Sequence, residues 1–215
     1  MWDRKNEVEH KALKEKAFLE KGFELFAERG IEGVTLKDVA DGTDYGIATL
    51  YRYFNKKPGF VVAVATWKWE QLLEENPKRR LTNGFAGMTA AEIFEFYLES
   101  FIVQYREHKD LLRFNQYFNM YVQTEGLDRA VLKPYLDAME VLKERFHGMY
   151  LKALQDRTLR TDEPEEKMFS KTLHLMLAAV TRYAVGLVYI PESGFDAMEE
   201  LETMKEMLLE RYRKE

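Results

Sequence analysis

The chain has 215 residues, of which 46% are hydrophobic and 13% aromatic, enough to bury a substantial core. It contains no cysteine, which excludes disulfides, thiolate metal sites and a cysteine nucleophile. The net charge of -5 argues against a uniformly basic nucleic-acid binder, but the deficit is uneven: residues 1–60 carry 11 basic and 11 acidic side chains, and the remainder holds the whole acidic excess.

No apolar run reaches the roughly 20 residues needed to span a bilayer. The charged start, MWDRKNEVEHK, lacks the apolar stretch of a secretory signal. These features lead to the expectation of a cytoplasmic protein with no membrane partner.

Pro and Gly fall between long stretches of helical periodicity, and no strand-like alternation of convincing length occurs, so the fold class is expected to be all-α. The first helix is predicted over about Glu7–Glu28, with Leu13, Ala17, Phe18, Leu25 and Phe26 near one stripe and Gly30 as the stop. Thr35 caps a short helix, Leu36 to about Gly42. The turn Thr43-Asp44-Tyr45-Gly46 leads to a third helix, Ile47–Phe54, and Lys57-Pro58 opens a fourth reaching about Glu75. Residues 76–87, with Pro77, Gly84 and Gly87, form the expected connection. Thr89 to Glu92 is a capping-box signature for a helix to about His108. Helices over about Leu111–Tyr121 and Leu127–Asp156 follow, Pro134 marking the latter's true start or a kink. A long apolar helix is predicted over about Glu165–Tyr189, a break at Pro191–Gly194, and a last helix over Asp196–Arg213.

Helices of about seven residues do not persist alone. Two of them joined by a tight turn and held on a longer amphipathic helix make a helix-turn-helix, whose exposed second helix fits a DNA major groove. Phe18, Leu25, Phe26, Val39, Ala40, Tyr45, Leu50 and Phe54 supply its core. The stretches Leu25-Phe-Ala-Glu-Arg-Gly30, Thr35-Leu-Lys-Asp-Val-Ala40 and Thr49-Leu-Tyr-Arg-Tyr-Phe54, followed by Lys57, resemble the N-terminal signature of the TetR family in order and spacing. The resemblance covers about 50 residues. It implies a transcriptional regulator, probing double-stranded operator DNA with a domain over residues 7–60 and carrying a helical ligand-binding and dimerisation domain over residues 61–215. Thr35, Tyr51, Tyr53 and Lys57 are then the expected phosphate contacts, with Arg52 beside them; Gly46, Ile47, Ala48 and Thr49 face the bases, and Lys37 is the hydrogen-bonding reader.

The sequence departs from that pattern in the turn, where Ala-Gly-Val-Ser is usual. Asp44 is expected to take the left-handed conformation that glycine normally supplies, and Gly46 removes the hydroxyl that would cap the recognition helix. Pro58 stands where an acidic residue is usual.

In the second part, aromatic residues crowd positions 94–150. Such a set builds either a core or the apolar wall of a pocket. By the resemblance, Phe101, Gln104, Tyr105, Phe114, Tyr117, Phe118, Tyr121, Phe146, Tyr150 and His174 are candidates to meet a small apolar or aromatic ligand. The apolar residues of the last two helices, among them Leu175, Met176, Val180 and Val185 with Leu201, Leu208 and Tyr212, are candidates for a two-fold four-helix dimer interface.

Enzymatic readings find little support. The four histidines, His10, His108, His147 and His174, are scattered, and no metal-ligand spacing, phosphate loop or nucleophile elbow occurs. No cofactor is expected. The alternative is a ligand- or protein-binding helical module whose DNA binding has degenerated, motivated by Asp41 and Asp44 near the expected DNA face.

Overall fold

The computed structural model describes residues 2–75, 85–190 and 193–214. Among these the regular elements are helices: α1 (Trp2–Arg29), α2 (Leu36–Asp41), α3 (Ile47–Phe54), α4 (Lys57–Glu75), α5 (Ala90–Glu107), α6 (Lys109–Glu125), α7 (Arg129–Asp156), α8 (Glu165–Val185) and α9 (Ala197–Tyr212). The expected connection at residues 76–87 and the break at Pro191 lie largely outside the described residues. No described helix is long and apolar enough to cross a membrane.

The chain folds as two compact units, Met1–Leu72 with Phe114–Ala138, and Leu73–Arg113 with Met139–Glu215. The first is organised by aromatic rings. Phe26 of α1 meets Phe60 of α4 at 5.8 Å and stacks on Phe114 of α6 at 6.4 Å, while Phe54 at the end of α3 meets Phe60 at 4.9 Å. Phe18, Phe26, Phe60 and Phe114 are fully buried, and each such ring contributes on the order of 1.5–3 kcal/mol through burial. Gly22 makes the close approach of α1 and α4 possible: a Cβ there would lie 2.5 Å from the tip of the Phe60 ring. Gly30 ends α1 in the left-handed conformation, φ 76°.

α1 begins earlier than its apolar stripe, at Trp2, because nothing in the charged segment breaks a helix. Residues 7–13 are exposed, among them Leu13, expected on the buried stripe. Pro134 lies inside α7 and does not start it.

The second unit is built on α5, α8 and α9, which pack on one another. Phe94 of α5 meets Phe146 at 6.4 Å and Tyr212 at 5.7 Å, and Phe146 meets Phe169 at 5.2 Å. The N-terminus of α5 is closed by its own capping box, Thr89 with Glu92, and by Asp156 at the end of α7, whose carboxylate accepts the Ala90 N–H at 2.7 Å. After α7, residues 158–160 run antiparallel beside the end of α9, Lys214 N–H donating to the Thr158 carbonyl at 3.0 Å.

Candidate nucleic-acid interface

α2 and α3 are too short to stand alone, so side-chain caps and the α1 core hold them in place. Thr35 caps α2 as expected: its hydroxyl oxygen accepts the Asp38 N–H at 3.1 Å. Asp38 returns the contact, accepting the Thr35 N–H at 2.7 Å and the Thr35 hydroxyl at 2.6 Å. These hydrogen bonds hold the Asp38 carboxyl below its ordinary pKa. The α2 N-terminus is thereby already occupied by a carboxylate.

The turn is held differently from the sequence expectation. Among the described non-glycine residues only Asn55 and Arg157 have positive φ, so Asp44 does not take the left-handed conformation. Instead the Thr43 hydroxyl donates toward the Ala40 carbonyl at 3.0 Å and accepts the Tyr45 N–H at 3.2 Å. The Thr43 N–H also donates to the Ala40 carbonyl, at 3.0 Å, so side chain and backbone close the turn together. Gly46 caps α3 in an extended conformation with no side-chain cap bond.

α3 divides cleanly into two faces. Leu50 and Phe54 are buried, while Gly46, Ile47, Ala48, Tyr51 and Arg52 are exposed and Thr49 and Tyr53 are half-buried. Tyr45 and Tyr53 lean on Phe18, with ring centroids 5.8 and 6.4 Å away. The helix therefore offers a small, mostly apolar ridge bordered by phenols and one guanidinium.

The two lysines expected at DNA are both engaged. Lys37 is ion-paired with Asp41 one turn along α2, a hydrogen bond and charge that raise its pKa. Lys57 lies 5.9 Å over the Tyr121 ring, and partial burial pulls its pKa down against the opposing pull of Glu32, Glu125 and Asp38. The Lys37–Asp41 pair could have been found from the sequence, since the residues stand at i and i+4.

The candidate ligand residues fall into both units. Phe114, Tyr117, Phe118 and Tyr121 belong to the first, where Tyr117 lies beside Gly30 and Phe118 meets Tyr135 at 4.8 Å. Phe101, Gln104, Tyr105, Phe146 and Tyr150 belong to the second and pack in or against its core. His174 is exposed, its Nδ1 3.3 Å from the Ser170 hydroxyl. In the second unit Gln104 Oε1 and Thr172 Oγ1 are buried without a hydrogen-bond partner among the described residues, an arrangement that leaves polar atoms in want of one. Thr172 was not singled out by sequence; a lone threonine in an apolar helix carries no signal.

Of the apolar residues expected at a dimer interface, Met176, Val180, Leu201, Leu208 and Tyr212 are buried within their own unit. Leu175, Ala178, Arg182 and Val185 remain exposed and follow at helical spacing along α8. No group of three or more His, Cys, Asp or Glu residues that could hold a metal ion occurs among the described residues.

Residues 18–64 match the family model of bacterial regulatory proteins of the tetR family. Solved structures share the fold along almost the whole chain. A regulator from Saccharomonospora viridis in complex with choline has a TM-score of 0.72 and 16% identity, covering 95% of this chain and 100% of its own. FadR from Bacillus subtilis in complex with stearoyl-CoA gives 0.68 and 14%, covering 91% and 98%. AibR in complex with isovaleryl coenzyme A and operator DNA gives 0.64 and 14%, covering 91% and 97%. No curated protein matches the chain. Residues 18–64 thus match the tetR-family N-terminal segment, and the all-α chain shares the fold of these solved regulators.

Proposed function

We propose, from the TetR-family character of residues 18–64, that this protein is a ligand-responsive transcriptional repressor that binds a palindromic operator as a homodimer. The observation that carries the reading is the division of α3, which buries Leu50 and Phe54 and leaves Gly46, Ile47, Ala48, Tyr51 and Arg52 facing solvent. In a major groove, Ile47, Ala48 and the Thr49 methyl suit thymine methyl groups, and Tyr51, Tyr53 and Arg52 are placed for phosphates. Lys37 reads a base edge once it leaves Asp41, Lys57 adds to the backbone set, and Thr35 joins it once its hydroxyl turns from Asp38 to a phosphate. The exposed stripe Leu175, Ala178, Arg182 and Val185 supports a two-fold interface through α8 and α9.

The ligand meets the second unit's aromatic core. Gln104 and Thr172 supply buried polar atoms there, and Phe101, Tyr105, Phe146 and Tyr150 an apolar wall. Binding favours a half-site spacing that does not fit the operator, and DNA affinity falls. Fold relatives in complex with acyl-CoA or choline make these the first compounds to test. The protein is non-enzymatic and cytoplasmic in this reading.

A second reading, a helical binding module with degenerate DNA affinity, is favoured by Asp38, Asp41 and Asp44 around the reading head and by the pairing of Lys37. Fluorescence anisotropy on DNA from upstream of the coding sequence separates the two. Specific binding that weakens steeply with salt supports the regulator; binding no tighter than to random duplex overturns it.

A further inference from the structure

We infer that the N-terminal third of α1 is a second DNA-contacting element, with Lys11 and Lys14 as its phosphate contacts; the inference rests on the DNA-binding reading above. The family match begins only at residue 18, yet α1 runs unbroken from Trp2. The helix therefore carries the chain past the edge of the helix-turn-helix core.

Where it goes is fixed by Phe18, whose ring supports Tyr45 and Tyr53. Lys14 and Lys11 stand four and seven residues before Phe18, on the same helix face. Their ammonium groups lie over these same phenols, Lys14 5.7 Å from the Tyr45 centroid and Lys11 5.8 Å from the Tyr53 centroid. The Arg52 guanidinium flanks Tyr53 at 5.8 Å. Three cations are thus gathered at the edge of the recognition helix, two of them from outside the family segment.

Their ammonium groups form no ion pair among the described residues, whereas Lys16 pairs with Glu20, Lys21 with Glu24 and Lys37 with Asp41. Glu7 and Glu15 stand one turn either side of Lys11, and Asp44 lies in the turn; none of the three makes an ion pair among the described residues. An aromatic face attracts a cation without neutralising it, and Lys11 is exposed and Lys14 half-buried. A duplex seated on α3 would bring its backbone along the Tyr53 edge, where these groups wait.

The test measures operator affinity of the full-length protein against salt. Lys11→Gln with Lys14→Gln is expected to flatten the slope of log K against log salt by about 1.8, or about 0.9 for each phosphate released, so that the deficit grows about 12-fold on fourfold dilution of the salt. Lys11→Arg with Lys14→Arg should restore the slope, and Lys16→Gln should leave it unchanged. An unchanged slope in the double glutamine variant, with specific binding retained, overturns this inference and leaves the regulator reading standing. A wild-type protein without a specific site overturns both.

Discussion

Asp41→Asn tests the electrostatics of the proposed reading head in a single atom. The carboxylate pairs with Lys37 on the exposed face of α2, where the two side chains are 71% and 61% accessible. An ion pair so open to water contributes little to folding, so the melting temperature should hardly move. Near a duplex, however, Asp41 acts twice: it repels phosphate and it competes for the ammonium group. Its neutral isostere adds one effective positive charge to the face. The slope of log K against log salt should steepen by about 0.9, and the variant should gain about 3.5-fold over wild type as salt falls from about 200 to about 50 mM. Anisotropy titrations on one operator fragment at four salt concentrations measure this directly. Equal or weaker binding by the variant at every concentration, with an unchanged melting curve, would refute the placement of Lys37 at DNA.

Three further outcomes are expected. Gly22→Ala forces a Cβ against a Phe60 ring that is itself fixed by Phe26 and Phe54; overpacking of this kind costs about 1–3 kcal/mol, visible as a lowered denaturation midpoint. In the second unit the Asp156 carboxyl is pushed up by burial, but hydrogen bonds from Thr158 and Ala90 with the charge of Lys152 outweigh this and hold it low; Glu92, Asp162 and Glu163 are held low as well. Carboxyls depressed in the folded state stabilise it above their unfolded values, near about 4, and lose that contribution as pH falls through the folded values. Denaturation midpoints should be level above about pH 5 and fall below it, and Asp156→Asn should make the fall shallower. Leu175→Glu places a charge in the exposed stripe of α8; sedimentation should find a dimer for wild type and a monomer for the variant, and a wild-type monomer would sink the proposed interface.

The helix-turn-helix was legible because its information is local. Phe18, Leu50 and Phe54 sit at fixed spacings, Thr35 caps where a threonine before an apolar run should, and α3 exposes the residues its period requires. Turn composition alone points to a left-handed Asp44; the hydroxyl of Thr43, whose contacts carry no sequence signature, removes that need. Leu13 was assigned to the core from its period alone, yet a helix can outrun what it packs on. The ring stack of Phe26 on Phe114 and the need for glycine at position 22 join residues far apart in the chain, and neither has a local signature. Among the apolar residues of α8 and α9, composition could not tell those turned inward, such as Met176 and Leu201, from those turned out, such as Leu175. Period gives a stripe; only packing says what the stripe faces.

The hydroxyl of Thr43 has a consequence for how such a protein can change. Because the side chain and backbone N–H of Thr43 close the turn together, residue 44 does not take the left-handed conformation. The charge at position 44 can be reversed, removed or restored without loosening α2 from α3. In the proposed regulator, operator strength and structural integrity, coupled wherever one glycine must serve the turn, would be separate variables, and selection could tune the first while leaving the second untouched.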